Sequence, residues 1–209
     1  MTGRVIKQER AIQTRAALLR AAAEVFAESG YAGANVSAMA ERAGLTLGAL
    51  YFHFRNKGHI AREIVLSQPG LVVPPHSSTG LQHAVDTTLT WAYQLADDPV
   101  LLAGARLVLE QEHFVEPAEN THQQWTRVIS SDLHEAKRRR ELRAAADVEV
   151  VSRLVVNACT GAQMHSHLES RRRDLPVRVE EMWRCLLPAI AVPSAVRGLQ
   201  FGESRAKSV

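Results

Sequence analysis

One short segment carries side chains whose chemistry suits a phosphodiester partner. Hydroxyl groups on Thr46 and Tyr51 can bond phosphate oxygens, and Gly48 lets a partner approach the backbone closely. Lys57 adds a cation at the expected start of a helix, where free backbone amides attract anions. Leu47 can offer only an apolar contact, for example to a thymine methyl group. An ordinary helical hairpin with a solvated basic face would carry the same residue types.

The sequence shows no pattern typical of catalysis or metal binding. It has no Gly-rich phosphate loop, no Gly-x-Ser-x-Gly elbow and no cysteine pair at metal-binding spacing. His165 and His167 lie two residues apart, so they point in different directions on a helix. Glu110 and His113 supply only one of the two Glu-x-x-His motifs that a di-iron bundle needs. We therefore expect no enzyme, no cofactor and no bound metal.

Helical periodicity dominates the segment that would position these groups. A second helix is predicted after the cap residue Asn35 and ends at Gly44, and a third follows the cap Thr46 and covers Leu47 to His53. Two short helices joined by a tight turn form a helix-turn-helix, whose second helix fits the DNA major groove. The longer first helix is predicted from apolar residues at steps of three and four, ending at Ser29-Gly30: Ile12, Ala16, Leu19, Ala23 and Phe26. In the helix-turn-helix, the residues expected to point outward are Thr46, Leu47, Gly48, Tyr51, Phe52 and His53, followed by Lys57.

The remainder of the chain is also helical in pattern. A fourth helix is predicted from Lys57 to Ser67, because Pro69 disfavours helical geometry in the residue before it. Residues 68–80 contain three prolines and two glycines, which is typical of a surface connection. Further helices are predicted over about 81–97, 100–113, 121–143, 148–170 and 175–192, and the polar residues from 194 onward are expected to fray. No segment combines strand alternation with hairpin turns, so the expected fold class is all-α.

Composition and charge exclude several classes of protein. Apolar residues make up 46% of the 209 residues and there are 2 cysteines, which excludes a disordered chain and a disulfide-stapled scaffold. Residues 1–62 carry nine Lys/Arg and four Asp/Glu, a charge of +5, whereas the rest of the chain sums to −2. A basic front and a near-neutral body favour two functions, one involving a polyanion. No segment suits a membrane span or an export signal, so we expect a cytoplasmic protein with no membrane partner. The thiols of Cys159 and Cys185 are expected to be reduced and buried.

The run GYAGANVSAMAERAGLTLGALYFHFRNK, from Gly30 to Lys57, resembles the DNA-binding signature of the TetR family of transcriptional regulators. The resemblance implies a three-helix DNA-binding domain over residues 1–57, a connecting fourth helix, and a helical ligand-binding and dimerisation domain over 68–209. Leu47 and Gly58 depart from the family pattern, where a polar residue and Glu are usual. The implied DNA contacts are Asn35, Ser37, Thr46, Leu47, Gly48, Tyr51, His53 and Lys57.

VIKQERAIQTRAALLRAAAEVF and GALYFHF are similar to the γ-butyrolactone autoregulator receptors of actinomycetes, a branch of the same family. The branch implies that Trp125, in the context QQWTRVI, lines a lactone pocket, and that Thr160 and Gln68 bond ligand oxygens. From spacing alone, Trp125 would instead be a core tryptophan. The alternatives for Thr160 and Gln68 are a hydroxyl bonded to its own helical turn and a solvated loop amide. Trp91, Tyr93 and Trp183 are expected in the core or, for Trp183, in an interface.

The resemblance implies a repressor that binds palindromic operator DNA as a homodimer. A small effector of γ-butyrolactone, butenolide or furan type would release it, which would control antibiotic biosynthesis genes. Expected dimer contacts are Leu154, Val155, Ala158, Ala162 and residues 182–190. The basic pI of about 9.1 also fits a pseudo-receptor that answers to an antibiotic or a biosynthetic intermediate. A helical-bundle enzyme or an interaction module that does not bind DNA is a more distant alternative. The basic clusters at 137–143 and 171–173 are expected at solvated helix ends.

Overall fold

A computed structural model describes residues 2–117 and 120–207, and the all-α prediction is confirmed. A 3₁₀ turn spans Gln111–His113. The helices are α1 (Thr2–Gly33), α2 (Val36–Arg42), α3 (Leu47–His53), α4 (Lys57–Leu71), α5 (Gly80–Gln94), α6 (Pro99–Leu107), α7 (Thr121–Arg138), α8 (Val148–Ser170), α9 (Leu175–Ile190), α10 (Pro193–Gly198) and α11 (Glu203–Ala206). No helix in the described part of the chain is both long and apolar enough to cross a membrane.

The chain divides into two compact units. The first contains the residues up to Gln68 together with Asp98–Asn120, and the second contains Pro69–Asp97 and the residues from Thr121 onward. The sequence prediction placed all residues from 68 onward in the second domain, whereas Asp98–Asn120, which contains α6, lies in the first unit. In the structure, Ala103 and Leu107 of α6 belong to the same buried cluster as Phe26, so α6 packs within the first unit.

The first unit is organised around α1, which has a sharp break near its end. Gly30 has φ +69°, a left-handed conformation that side chains with a Cβ rarely adopt. The break exposes the backbone N–H groups of Tyr31 and Ala32, which donate to the carboxylate of Glu110 at 2.9 and 3.2 Å. A Cβ on Gly30 would lie 2.7 Å from Glu110 Oε1, so packing also requires glycine here. The predicted stop at Ser29-Gly30 is therefore present as a kink held by Glu110, three residues after the end of α6.

Helix α4 is longer than the sequence predicted. It continues through Pro69 to Leu71, whereas proline was expected to end it at Ser67. Proline removes one backbone donor but does not force an end when surrounding contacts hold the helix. Gln68, the residue before the proline, is buried and donates from Nε2 to the carbonyl oxygen of Val100 at 3.2 Å.

The second unit is built around α5, which is buried over most of its length. Helices α7 and α9 pack against it, and α8 packs against both α7 and α9. Trp183 of α9 is fully buried and donates from Nε1 to Thr88 Oγ1 at 2.8 Å. Trp183 is therefore a core residue, whereas Trp91 and Tyr93 are only half-buried.

The C-terminal segment corrects one prediction. Residues after 194 were expected to fray, yet they form α10, which contacts α9, and α11, which packs onto α5. The guanidinium of Arg205 pairs with the fully buried carboxylate of Asp86. Gln82 and Gln200 also exchange two hydrogen bonds of 2.9 Å. The sequence prediction missed these contacts because their partners lie more than a hundred residues away in the chain.

The outer face of α8 carries a row of exposed apolar side chains. Leu154 is 49% exposed, and the row also contains Val150, Met164 and Leu168. Val177 on α9 is exposed as well. The predicted set of interface residues was only partly right, because some of its members are buried in this chain's own core: Val155, Trp183, Leu187 and Ile190.

The two cysteines and the basic clusters differ in their surroundings. Cys159 is buried, and burial raises the pKa of its thiol to about 12. Cys185 is exposed, so the prediction that both thiols are buried was wrong for this residue. The 137–143 cluster begins in the last turn of α7, and Arg138 and Arg139 pair with neighbouring glutamates. In the 171–173 cluster, the first arginine caps α8 in a left-handed conformation with φ 55°.

Candidate nucleic-acid interface and ligand site

Two side-chain caps position the helix-turn-helix. Asn35 Oδ1 accepts from the Ser37 backbone N–H at 2.8 Å and begins α2, and Thr46 Oγ1 accepts from the Ala49 N–H at 3.1 Å and begins α3. Gly44 has φ +66° in the turn between them, a conformation that favours glycine. Both predicted caps are present. The amide group of Asn35 and the hydroxyl hydrogen of Thr46 can still donate to a phosphate.

The outer surface of α3 is unusually apolar and aromatic. Leu47 is 41% exposed, Tyr51 51% and Phe52 83%. His53 is half-buried and meets the Phe52 ring edge-on at a centroid distance of 5.1 Å. Ser37 and Gly48 are also exposed. The predicted reading surface is therefore presented on one short helix, and it offers a phenol hydroxyl, an imidazole and apolar groups to a groove.

Gly48 has no packing role in the fold that would require glycine. A Cβ at this position would meet only Thr46 Oγ1, at an ordinary contact distance of 3.8 Å. Gly48 has no left-handed backbone conformation either, because the glycines with positive φ lie elsewhere. The absence of a side chain here is useful mainly to a partner that approaches the start of α3.

Lys57 is engaged inside the protein, which the sequence prediction did not foresee. Its ammonium donates to the carbonyl oxygens of Tyr31 and Ala34 at 2.8 and 3.2 Å, and it lies 4.6 Å from the Tyr31 ring centre. These carbonyls close the end of α1, where the helix dipole favours a cation. An ammonium has three N–H groups, so at most one remains for a phosphate.

Arg55 is a basic residue that the motif analysis left out of the site. It is exposed in the corner between α3 and α4, and its backbone N–H donates to His59 Nδ1 at 3.3 Å. Two other basic residues of the first unit pair with acids instead: Arg15 with Glu63, and Arg42 with Glu28 at 2.7 Å. A residue between two helices belongs to neither helical pattern, and only its exposure identifies Arg55.

The three predicted ligand residues have different surroundings. Trp125 on α7 is half-buried, which separates it from a fully buried core tryptophan such as Trp183. Thr160 on α8 donates to the carbonyl of Val156 at 2.9 Å, the bond to its own turn that spacing had suggested. Gln68 belongs to the first unit and is buried, so the alternative of a solvated loop amide is wrong.

Comparison with known proteins decides the family. Residues 18–64 match the family model "Bacterial regulatory proteins, tetR family". Residues 78–193 match the model "Tetracyclin repressor-like, C-terminal domain". The chain belongs to the TetR family. As a TetR-family chain it is a helix-turn-helix transcriptional regulator that binds DNA, and regulators of this family are not enzymes.

This TetR-family regulator has relatives that cover both of its units. The A-factor receptor protein of Streptomyces griseus is 36% identical over 91% of this chain and 68% of its own length. Full-length native TylP of Streptomyces fradiae, a TetR regulator, superposes with a TM-score of 0.86 at 36% identity, covering 94% of this chain and 95% of its own. A structure described as a gamma-butyrolactone receptor (ArpA-like protein) has a TM-score of 0.68 at 29% identity, with 89% and 92% covered.

Proposed function

We propose that this TetR-family regulator represses transcription by binding a palindromic operator as a homodimer, and that a small lactone-like molecule releases it. The exposed surface of α3 carries the proposal, since it presents groove-reading side chains on a capped, rigid helix. The similarity to the A-factor receptor protein over 91% of the chain supports the effector class. The regulated genes are then genes of antibiotic biosynthesis, and the protein acts in the cytoplasm, where its operator lies.

In this proposal the DNA contacts come from both helices of the motif. Asn35, Ser37 and Thr46 bond phosphate oxygens at the ends of α2 and α3. Leu47 and Gly48 face bases, and the apolar side chain favours a thymine methyl over a polar edge. Tyr51 and His53 add hydrogen bonds deeper along α3. Arg55 supplies the cation expected of Lys57, whose remaining N–H can still reach the backbone of the duplex.

The proposed dimer uses the exposed row on α8. Operator binding requires two recognition helices one duplex turn apart, and a twofold axis supplies this spacing. A patch of apolar side chains on a helix becomes favourable when it packs on its own copy. Val150, Leu154, Met164 and Leu168 provide such a patch, and Val177 extends it onto α9.

The proposed effector site contains Trp125. A half-buried indole can cover the face of a five-membered lactone, butenolide or furan ring while its N–H finds one polar partner. Release follows from population shift, because the effector favours the conformation with weaker operator affinity. The effector changes operator affinity only as far as its own affinity differs between the two conformations. Thr160 stays a candidate polar contact if its present bond to the Val156 carbonyl exchanges for a bond to the effector.

The decisive experiment measures binding to DNA from upstream of the protein's own gene, by fluorescence anisotropy. Tyr51→Ala should abolish specific binding to this DNA. Circular dichroism should show unchanged helicity, because the Tyr51 side chain is exposed and does not pack in the core. Retained specific binding would contradict the contact assignment.

Synthetic γ-butyrolactones should release the wild-type protein, and Trp125→Ala should bind the operator without being released. Release by an added antibiotic, with no response to lactones, would identify a pseudo-receptor instead.

A further inference from the structure

One face of α5 carries polar atoms that the protein itself leaves without hydrogen bonds. Thr87 and Thr90 are 3% and 0% exposed, and their Oγ1 atoms have no partner in the described part of the chain. Gln94 Oε1 is also sealed from solvent and unpaired there. Steps of three and four residues place all three side chains on the same side of the helix. We call Thr87, Thr90 and Gln94 the α5 polar stripe.

Thr88 shows that this arrangement is not a general property of the threonines in α5. Its hydroxyl donates to the carbonyls of Ala84 and Val85 and accepts from the Trp183 indole. The hydroxyl groups of the stripe could in principle bond back to their own helix in the same way. Instead they make no such bond, and a buried hydroxyl without a partner costs stability.

The α5 polar stripe faces α7. A Cβ on Gly80 would lie 3.2 Å from the Cα of Ala136, and His83 lies near enough to Asp132 to lower the pKa of its carboxyl. Residue numbers rise along α5 while they fall along α7 at these two contacts, so the helices run antiparallel. Continuing this register places Thr90 level with Trp125. The unpaired polar atoms therefore lie along the seam that contains the indole of the proposed effector site.

Asp132 adds a further unpaired polar atom on the α7 side of this seam. It lies seven residues after Trp125, two helical turns along the same face of α7. Its Oδ2 atom is sealed from solvent and has no hydrogen-bond partner within the described ranges. Burial raises the pKa of the Asp132 carboxyl to about 6, and His83 acts in the opposite direction. An inward-facing carboxyl without a hydrogen-bond donor at this oxygen is suited to a ligand that brings one.

We propose that the α5 polar stripe and Asp132 form the polar wall of the effector site, and that the effector carries a hydroxyl donor toward Asp132. The inference rests on the proposed function, because it assumes that Trp125 holds the effector ring. At 1.5 Å per residue, Trp125 and Asp132 are about 10 Å apart along α7. The effector is then an elongated molecule, with a flat lactone-like ring at one end and a hydroxylated chain at the other.

The first test asks whether the hydroxyl groups of Thr87 and Thr90 stabilise the ligand-free protein. Thr87→Val and Thr90→Val replace an unpaired buried hydroxyl with a methyl group of similar size, so both variants should unfold at a higher temperature than wild type. Thr79→Val is the matched control, because Thr79 is exposed and makes no capping bond. A lower unfolding temperature for both stripe variants would show that the protein uses these hydroxyls itself, and would overturn the proposal.

The second test uses two synthetic probes and intrinsic tryptophan fluorescence. Both are γ-butyrolactones with a side chain of about eight carbons, ending in a hydroxyl group in one probe and in a methyl group in the other. Wild-type protein should bind the hydroxyl probe at least tenfold more tightly, and Asp132→Leu should reverse this preference. Thr87→Val and Thr90→Val should each weaken binding of the hydroxyl probe, whereas Thr79→Val should not.

The outcomes separate the inference from the proposed function. If both probes bind equally well to wild type and release it from DNA, the proposed lactone effector is supported, but the proposed contact of its hydroxyl group with Asp132 is wrong. An unchanged preference in Asp132→Leu also overturns the inference alone. If neither probe changes the fluorescence or the DNA affinity of wild type, the lactone effector and the inference fail together.

Discussion

The ammonium of Lys57 shows how a motif residue can stabilise the fold that presents the motif. Two charge-assisted bonds to α1 carbonyls and the nearby Tyr31 ring use most of its bonding capacity. Lys57→Met should therefore destabilise the protein by about 1.5–3 kcal/mol, the range for hydrogen bonds to charged groups. Chemical unfolding monitored by circular dichroism measures this loss.

Arg55→Met is the matched control for Lys57→Met. It removes the same charge from an exposed corner, so stability should stay within about 0.5 kcal/mol of wild type while operator affinity falls. Equal stabilities for the two variants would mean that the Lys57 bonds contribute nothing to the folded state. Unchanged operator affinity in Arg55→Met would remove Arg55 from the proposed DNA surface.

Local chemistry was readable from the sequence, and distant contacts were not. The caps at Asn35 and Thr46 were predicted because a cap bonds amides two or three residues away. Lys57 bonds a carbonyl 26 residues back, and Gln68 bonds one 32 residues ahead. Neither partner can be read from neighbouring residues, so a cation near a helix start was assigned to phosphate.

At the scale of elements, α4 and α6 pack closely because Gly104 of α6 has no side chain. A Cβ on Gly104 would lie 1.1 Å from Gln68 Nε2, so the glutamine occupies the space that glycine leaves. Gly104→Ala should cost about 1–3 kcal/mol, because it displaces a buried amide and adds volume to a packed contact. Thermal unfolding of the single variant measures the cost.

The double variant Gln68→Ala/Gly104→Ala tests whether these two side chains are the cause. Removing the glutamine gives the new methyl group room, so adding Gly104→Ala to Gln68→Ala should cost much less than adding it to wild type. This non-additivity is expected only for residues in direct contact. Additive losses would show that the alanine clashes with something other than Gln68.

The last helix, α11, is held by a buried ion pair. Asp86 is fully buried, and its carboxylate accepts hydrogen bonds from Arg205, Ser78 and Gln82. Arg205→Ala leaves this carboxylate without its cation, which should cost about 3–5 kcal/mol. Lys207→Ala removes an exposed pair with Glu203 and should cost no more than about 1 kcal/mol. Similar losses in urea unfolding for both variants would contradict the role given to Asp86.

Helix boundaries followed from the sequence where the pattern was strong, and failed where tertiary contacts decide. The bounds of α3 and α8 agree with the predicted ones, because caps and apolar periodicity coincide at their ends. The short helices α10 and α11 have too few apolar residues for a periodic pattern. Their order comes from the contacts of α10 with α9 and of α11 with Asp86 and α5, which a reading of the C-terminal residues alone could not include.

At the scale of the whole molecule, the charge of the first unit matters only in relation to dimerisation. Ion pairs to Glu63 and Glu28 occupy Arg15 and Arg42, so the +5 of residues 1–62 overstates the cations that DNA meets. A dimer presents two copies of the α3 surface and of Arg55 to one operator. Each phosphate neutralised contributes a slope of about −0.9 to the dependence of log affinity on log salt.

Leu154→Asp tests whether operator affinity and its salt dependence require two copies of the α3 surface. A charge in the middle of the exposed α8 row should prevent dimer formation while leaving the fold intact, because Leu154 is 49% exposed in the single chain. Sedimentation velocity should give a monomer, and operator anisotropy should show weaker binding with about half the wild-type salt slope, since only one α3 surface remains engaged. Val73→Asp is the control, because Val73 is 68% exposed but lies in the loop that follows α4 and is not part of the α8 row. A dimeric Leu154→Asp protein with the full salt slope would move the dimer interface elsewhere on the chain.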